Sequence, residues 1–181
     1  DAGFILMRSD ELHRRAFSER PEYLKGSERG LAAGNPWPVE YGPELSRGFR
    51  ALKIWTQLAE HGTDKLGALI AQNCEQAAYL KTLVDAHPRM VMLAPVAMNI
   101  CCFRYQAPDQ DAPAMDRLND EIVVQLQIQG LAAPSTTLVG GRNAIRVNIT
   151  NHRTTWADLD MLIREIDRIG QQLVAASSLN K

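Results

Sequence analysis

Ser135-Thr-Thr-Leu-Val-Gly-Gly-Arg-Asn-Ala-Ile-Arg-Val-Asn-Ile-Thr150 decides the fold. Two β-favouring runs, Ser135 to Val139 and Ala144 to Thr150, flank Gly140-Gly141-Arg142-Asn143, which predicts a β-hairpin. Upstream, Met90 to Ala94 and Met98 to Tyr105 read as two more strands, joined tightly at Pro95. Between the two strand pairs, Ala114 to Gln129 carries Met115, Leu118, Ile122, Val123 and Leu126 at helical spacing, with Gly130 at its end. Downstream, Thr155 followed by Asp158 has the form of a capping box. It opens a last helix with the stripe Leu159, Leu162, Ile163, Ile166, Ile169 and Leu173. Before the first strand, Thr63 caps a helix lined by Leu66, Leu69, Ile70, Ala77, Leu80, Leu83 and Val84, which closes before Pro88. The order from Thr63 is therefore αββαββα, which predicts an antiparallel sheet with helices on one face.

Residues 1–62 read differently. Gly3 to Arg8 is a short apolar run expected to be a strand, and Ser9 can cap a helix over Asp10 to Phe17. Ser18 to Gly42 then holds Pro21, Gly26, Gly30, Gly34, Pro36 and Pro38 with little periodicity. A connection this long is either plain surface loop or functional. Helical spacing resumes near Pro43, with Leu45, Phe49, Leu52, Trp55 and Leu58 along one face, and stops at Gly62, a natural C′ residue. The expected division is thus 1–62 and 63–181.

Composition narrows the function classes. The 181 residues are 45% hydrophobic and 23% charged, so the chain is of the globular class. A formal net charge of −1 offers no global field for nucleic acid. No apolar run approaches the roughly 20 residues of a bilayer span. Cys74, Cys101 and Cys102 make no disulfide framework and fit a reduced, cytoplasmic protein. His13, His61, His87 and His152 are scattered, and no metal-ligand spacing is present, so no metal is expected.

The densest basic cluster is Arg47-Gly-Phe-Arg50-Ala-Leu-Lys53-Ile-Trp55, where cations recur every three residues. It reads either as a solvated basic face or as an anion site. Arg47, directly after the long loop and nearest the expected helix N-terminus, is the best-placed ligand for a carboxylate.

This same segment resembles the R-x-F-R-x-L-K-x-W stretch of the group II pyridoxal-phosphate-dependent amino acid decarboxylases, which include the aromatic-L-amino-acid, glutamate and diaminobutyrate enzymes. Tyr23-Leu24-Lys25 after Pro21 resembles the P-x-Y-L-K of that family's mobile catalytic loop. Pro88-Arg89, Cys102-Phe103-Arg104 and Ala144-Ile145-Arg146-Val147 resemble its C-terminal strands. The likeness covers essentially the whole chain, but only the C-terminal portion of the family's sequence.

What the resemblance implies is specific. The chain would be an α/β fragment of α+β character. Residues 1–62 would be the end of a fold-type-I large domain, with the catalytic loop (18–42) and a linking helix, and 63–181 a C-terminal small domain. The whole protein would be a cytoplasmic, homodimeric carboxy-lyase acting on a small-molecule amino acid substrate, with no nucleic acid or membrane partner. Its cofactor would be pyridoxal 5′-phosphate. The lysine that forms the Schiff base belongs to an N-x-x-x-H-K-W segment expected upstream of Asp1, so no cofactor-binding residue is assigned here and the chain alone is expected to be inactive. By the resemblance, Arg47 holds the substrate carboxylate and Tyr23 protonates Cα after CO2 leaves. Gly48 departs from the second Arg or the His found in relatives, which leaves the substrate open and argues mildly against glutamate. Two other outcomes compete: an aldehyde synthase of the same fold, in which Phe replaces the loop tyrosine, and a non-catalytic dimerisation or regulatory domain.

Overall fold

The computed structural model describes residues 3–17, 28–30, 33–34 and 37–179, with side chains to residue 177. The chain forms two compact units, 1–62 and 63–181.

In the second unit the hairpin is present. Strands β3 (Ser135–Val139) and β4 (Arg142–Asn148) pair from Val139↔Arg142 to Ser135↔Arg146. Gly140 and Gly141 turn the chain with φ of 56° and 74°. Two consecutive left-handed residues match the natural twist of a two-residue hairpin and favour glycine at both positions. Strands β1 (Met90–Met92) and β2 (Ile100–Tyr105) pair with each other, and β2 pairs with β4, so the antiparallel sheet runs β1-β2-β4-β3.

Alternation along the strands sends Cys101, Phe103, Tyr105, Ile145 and Val147 to one face. There they meet Ala77, Leu80 and Val84 of α2 (Arg50–Ala86), Leu118, Ile122 and Leu126 of α3 (Ala112–Ile128), and Leu159, Leu162, Ile166 and Ile169 of α4 (Trp156–Leu179) in one core. Helix α3 begins earlier than the spacing predicts. Asp111 is its N-cap, accepting from Ala114 N at 2.8 Å, and Pro113 lies in the first turn, where its missing N–H costs nothing. The Thr155 capping box forms as expected: Thr155 N donates to Asp158 at 2.8 Å and Asp158 N to Thr155 Oγ1 at 3.3 Å.

Helix α3 also completes the sheet. The β2–β4 register runs only to Phe103↔Ile145. Beyond it, Asn119 Oδ1 accepts from Tyr105 N (2.8 Å) and Asn119 Nδ2 donates to Tyr105 O (3.0 Å). Asp116 Oδ1 accepts from Asn143 N (3.0 Å) and from Arg104 Nη2 (2.9 Å). Asn119 is fully buried, so these bonds satisfy main-chain groups that would otherwise be orphaned in the core. On α4, Gly170 leaves room for the Tyr105 ring: a Cβ there would lie 2.6 Å from Tyr105 Cζ.

The break at Gly62 is real: φ 71° and ψ 165° leave the helical region and interrupt α2. After it, the buried stripe starts later than expected. Leu66 and Leu69 are half-buried and Ile70 is exposed. The first buried positions are Asn73 and Gln76, whose side-chain amides donate to the carbonyls of Asn151 and Thr154.

In the first unit, Ser9 Oγ accepts from Leu12 N (3.2 Å) and caps α1 (Asp10–Phe17). Residues 3–7 are not a strand. A strand needs a neighbour to take its main-chain groups, and none of the unit's described residues supplies an edge. Pro43 to Phe49 is irregular, and α2 begins only at Arg50. Leu45, Phe49, Leu52, Trp55 and Leu58 are all exposed, and Gly42 alone among the unit's described residues is buried.

Candidate functional site

Arg47 lies in the irregular stretch ahead of α2, three residues before its start, so the helix N-terminus is not its setting. Its position comes instead from a 3₁₀ turn at Pro38–Tyr41. Arg47 Nη1 donates to Pro38 O at 3.2 Å. Gly42, which follows the turn, packs under the guanidinium: a Cβ there would meet Nη1 at 3.0 Å and Cζ at 3.4 Å. One bond to a carbonyl leaves most of the five guanidinium donors free for an anion. Arg50 is drawn aside by Glu44, 3.5 Å away.

Arg47 and Arg50 open onto a recess of about 670 Å³ whose walls include Phe4, Tyr41, Phe49 and Ile54. Two cations beside aromatic and aliphatic walls suit a small carboxylate with an apolar side chain. The rim is tied from below. Tyr41 OH donates to Asp10 Oδ1 at 2.7 Å, and Arg14 pairs with the same carboxylate. The Tyr41 phenol holds the Asp10 pKa below its usual range, and the bond to Asp10 raises that of Tyr41. His13 Nε2 lies 3.1 Å from Tyr41 O, with its ring edge-on to those of Tyr41 and Phe17. No local pattern signals this cluster, because Tyr41 is far from α1 along the chain.

Tyr23 and Lys25 lie outside the described residues, as does most of the loop around them. The other sequence landmarks are in the second unit. Arg104, on β2, is buried on Asp116, and its Nε has no partner among the described residues. Arg146 is half-buried directly across from Cys102, on the sheet face turned away from the helices. Among the described lysines, Lys81 is paired with Asp85, and Lys53 and Lys65 are exposed on α2. The described residues place no lysine on the walls of the recess beside Arg47. They also include no group of three or more His, Cys, Asp or Glu able to hold a metal ion, and no helix long and apolar enough to cross a membrane.

A model of the pyridoxal-dependent decarboxylase conserved domain matches residues 1–106. The aromatic-L-amino-acid decarboxylase of Bacillus atrophaeus is 26% identical over 174 residues, covering 96% of this chain and 36% of that protein. The L-tyrosine/L-DOPA decarboxylase 2 of Lophophora williamsii is 34% identical over 96 residues, 51% of this chain and 18% of its own. Among solved structures, 4-hydroxyphenylacetaldehyde synthase of Rhodiola rosea superposes with a TM-score of 0.67 at 25% identity, covering 75% of this chain and 29% of that one. Mouse CSAD superposes with a TM-score of 0.72 at 16% identity, covering 90% and 35%. The chain spans about a third of the length of the curated relatives it matches first.

Proposed function

Because the chain belongs to the pyridoxal-dependent decarboxylase family, we propose that it is the C-terminal part of an enzyme that releases CO2 and a primary amine from an L-amino acid. The observation that carries this reading is the family match over residues 1–106, which include both the Tyr23 segment and the recess at Arg47. In this reading residues 1–62 close the large domain, with the loop at 18–42, and 63–181 are the small domain of a homodimer. The exposed apolar side chains of residues 1–62 support cover by further polypeptide of the longer enzyme. The free cysteines Cys74, Cys101 and Cys102 support a cytoplasmic setting.

The cofactor, when bound, supplies the electron sink for breaking the bond to the carboxylate. The Schiff-base lysine and the other cofactor ligands are assigned to the polypeptide beyond this chain. The roles proposed for the residues here are two. Arg47 holds the departing carboxylate through a paired hydrogen bond and so fixes the orientation of the bond that breaks. Tyr23 delivers a proton to Cα, which completes the amine.

The fold does not separate decarboxylase from aldehyde synthase, since a named synthase shares it. Tyr23 does, because a phenylalanine fills the same volume without a proton to give. In the full-length enzyme, Tyr23→Phe should still release CO2, while amine output falls by about 10²–10⁴-fold. Under air, the unprotonated carbon should be diverted to oxygen, giving aldehyde, ammonia and peroxide. Amine, aldehyde and peroxide measured side by side decide it, and an undiminished amine yield removes Tyr23 from the chemistry.

A further inference from the structure

We propose that Tyr41 is a positioning residue for Arg47, and that Asp10 and His13 hold it in that role. The inference rests on the reading of Arg47 as the carboxylate ligand.

Arg47 is held at the turn by two features, a bond to the carbonyl of Pro38 and the space beside Gly42, where a Cβ would lie 3.0 Å from Nη1. Both belong to or adjoin a four-residue 3₁₀ turn that has no side-chain cap at its start. A turn this short is not stable by its own hydrogen bonds, and its last carbonyls have no partner within it. Tyr41 closes the turn and is where it is tied down. Its phenol is bound by Asp10, its carbonyl by His13, and its ring is edge-on to the His13 imidazole at 5.0 Å between centroids. Asp10 and His13 sit one turn apart on α1, whose start is fixed by Ser9. Arg14 shares the Asp10 carboxylate and keeps it facing Tyr41. The line of contact therefore runs from α1 through Tyr41 to the two points that hold the Arg47 guanidinium. Arg47 itself is exposed, so burial does not keep it aimed. Release of the Tyr41 phenol would let the turn shift, and with it Pro38 O and Gly42. The loss should fall on carboxylate recognition and leave the rest of the ligand's binding unchanged.

The test uses the full-length protein and two readouts. Tyr41→Phe keeps the ring against His13 and removes only the bond to Asp10; Asp10→Ala removes the same bond from the other side. With the amino acid that the holoenzyme turns over fastest, both variants should lower kcat/KM about 5–20-fold, part of the loss falling on kcat because Arg47 also orients the bond that breaks. In the cofactor-free protein, the Kd of 3-phenylpropionate should rise by a similar factor, while that of 2-phenylethylamine, which lacks the carboxylate, stays unchanged. Arg47→Met should weaken 3-phenylpropionate at least as much, and adding Tyr41→Phe to it should cost nothing more, because both act on one interaction. Unchanged kcat/KM and Kd in the Tyr41 and Asp10 variants overturn the inference. Equal weakening of both probes, together with a lower melting temperature, also overturns it, by showing a general structural role. If Arg47→Met changes nothing, the carboxylate reading of Arg47 fails first and this inference falls with it.

Discussion

Residues 63–181 and residues 1–62 keep their shape by different means. In the first of these, Phe103, Ile145 and Ile166 have no exposed surface, and even the polar Asn119 is fully buried. In the second, Phe49 is 74% and Trp55 65% exposed, and shape is kept by hydrogen bonds around one turn, Tyr41 to Asp10 and Arg47 to Pro38. Burial of apolar surface is the larger stabilising term, so the stability of this chain resides in 63–181. Arg47, proposed to hold the carboxylate, sits in the other unit, where its bond to Pro38 O decides its aim.

The comparison breaks most clearly under truncation. Phe103→Ala should destabilise the chain by about 3–5 kcal/mol in denaturant unfolding, because it empties a sealed core position. Trp55→Ala, a larger side chain removed from an exposed site, should change it by no more than about 0.5 kcal/mol. A comparable loss at Trp55 would show that residues 1–62 have a core of their own.

Acid offers a second lever. Arg89 forms two bonds to Asp167, at 2.7 and 2.8 Å, and these hold the Asp167 pKa below its ordinary range. A depressed carboxyl pKa stabilises the fold above the unfolded value near 4, and that contribution disappears as pH falls through the folded value. Asp167→Asn should therefore cost about 1–2 kcal/mol at pH 7 and progressively less between pH 4 and pH 2. Melting curves across that range read it, and a cost constant with pH would remove Asp167 from acid sensitivity.

The smallest effect contrasts two glycines. Gly170→Ala places a methyl group against the sealed Tyr105 ring, a cost of about 1–3 kcal/mol, of which the better helix propensity of alanine returns about 1. A Cβ at Gly67 meets nothing within 4 Å, so Gly67→Ala should gain up to about 1 kcal/mol. Equal effects at the two sites would mean that Tyr105 moves aside freely.

What could be read from the sequence was whatever depends on neighbours along the chain. The Gly140-Gly141 turn, the Thr155–Asp158 box, the Ser9 cap and the break at Gly62 are each set within a few residues, and each is present. Non-local features were not legible. Asn119 in the core of α3 looks like an interruption of its apolar stripe, and only the ends of β2 and β4 explain it. Gly3 to Arg8 has a strand's composition but no partner strand. Helical spacing from Pro43 overran the true start at Arg50, because spacing registers apolar side chains and not the turn that holds Arg47. The bond between Tyr41 and Asp10 joins two segments whose order of residues predicts nothing about their meeting.

The insertion of α3 beside β2 and β4 bears on how the second unit assembles in time. Each hairpin, β1–β2 and β3–β4, can close alone within microseconds, whereas joining them requires chain ends separated by a whole helix to meet. Asp116 and Asn119 grip the main chain at Asn143 and Tyr105, one point on each hairpin. A slip of one residue in either strand would turn Ile145 or Phe103 away from the helices and remove that grip at the same moment. Helix α3 thus works as a jig: only the native register of both hairpins satisfies Asn119 and Asp116 at once while keeping Phe103 and Ile145 on the core face.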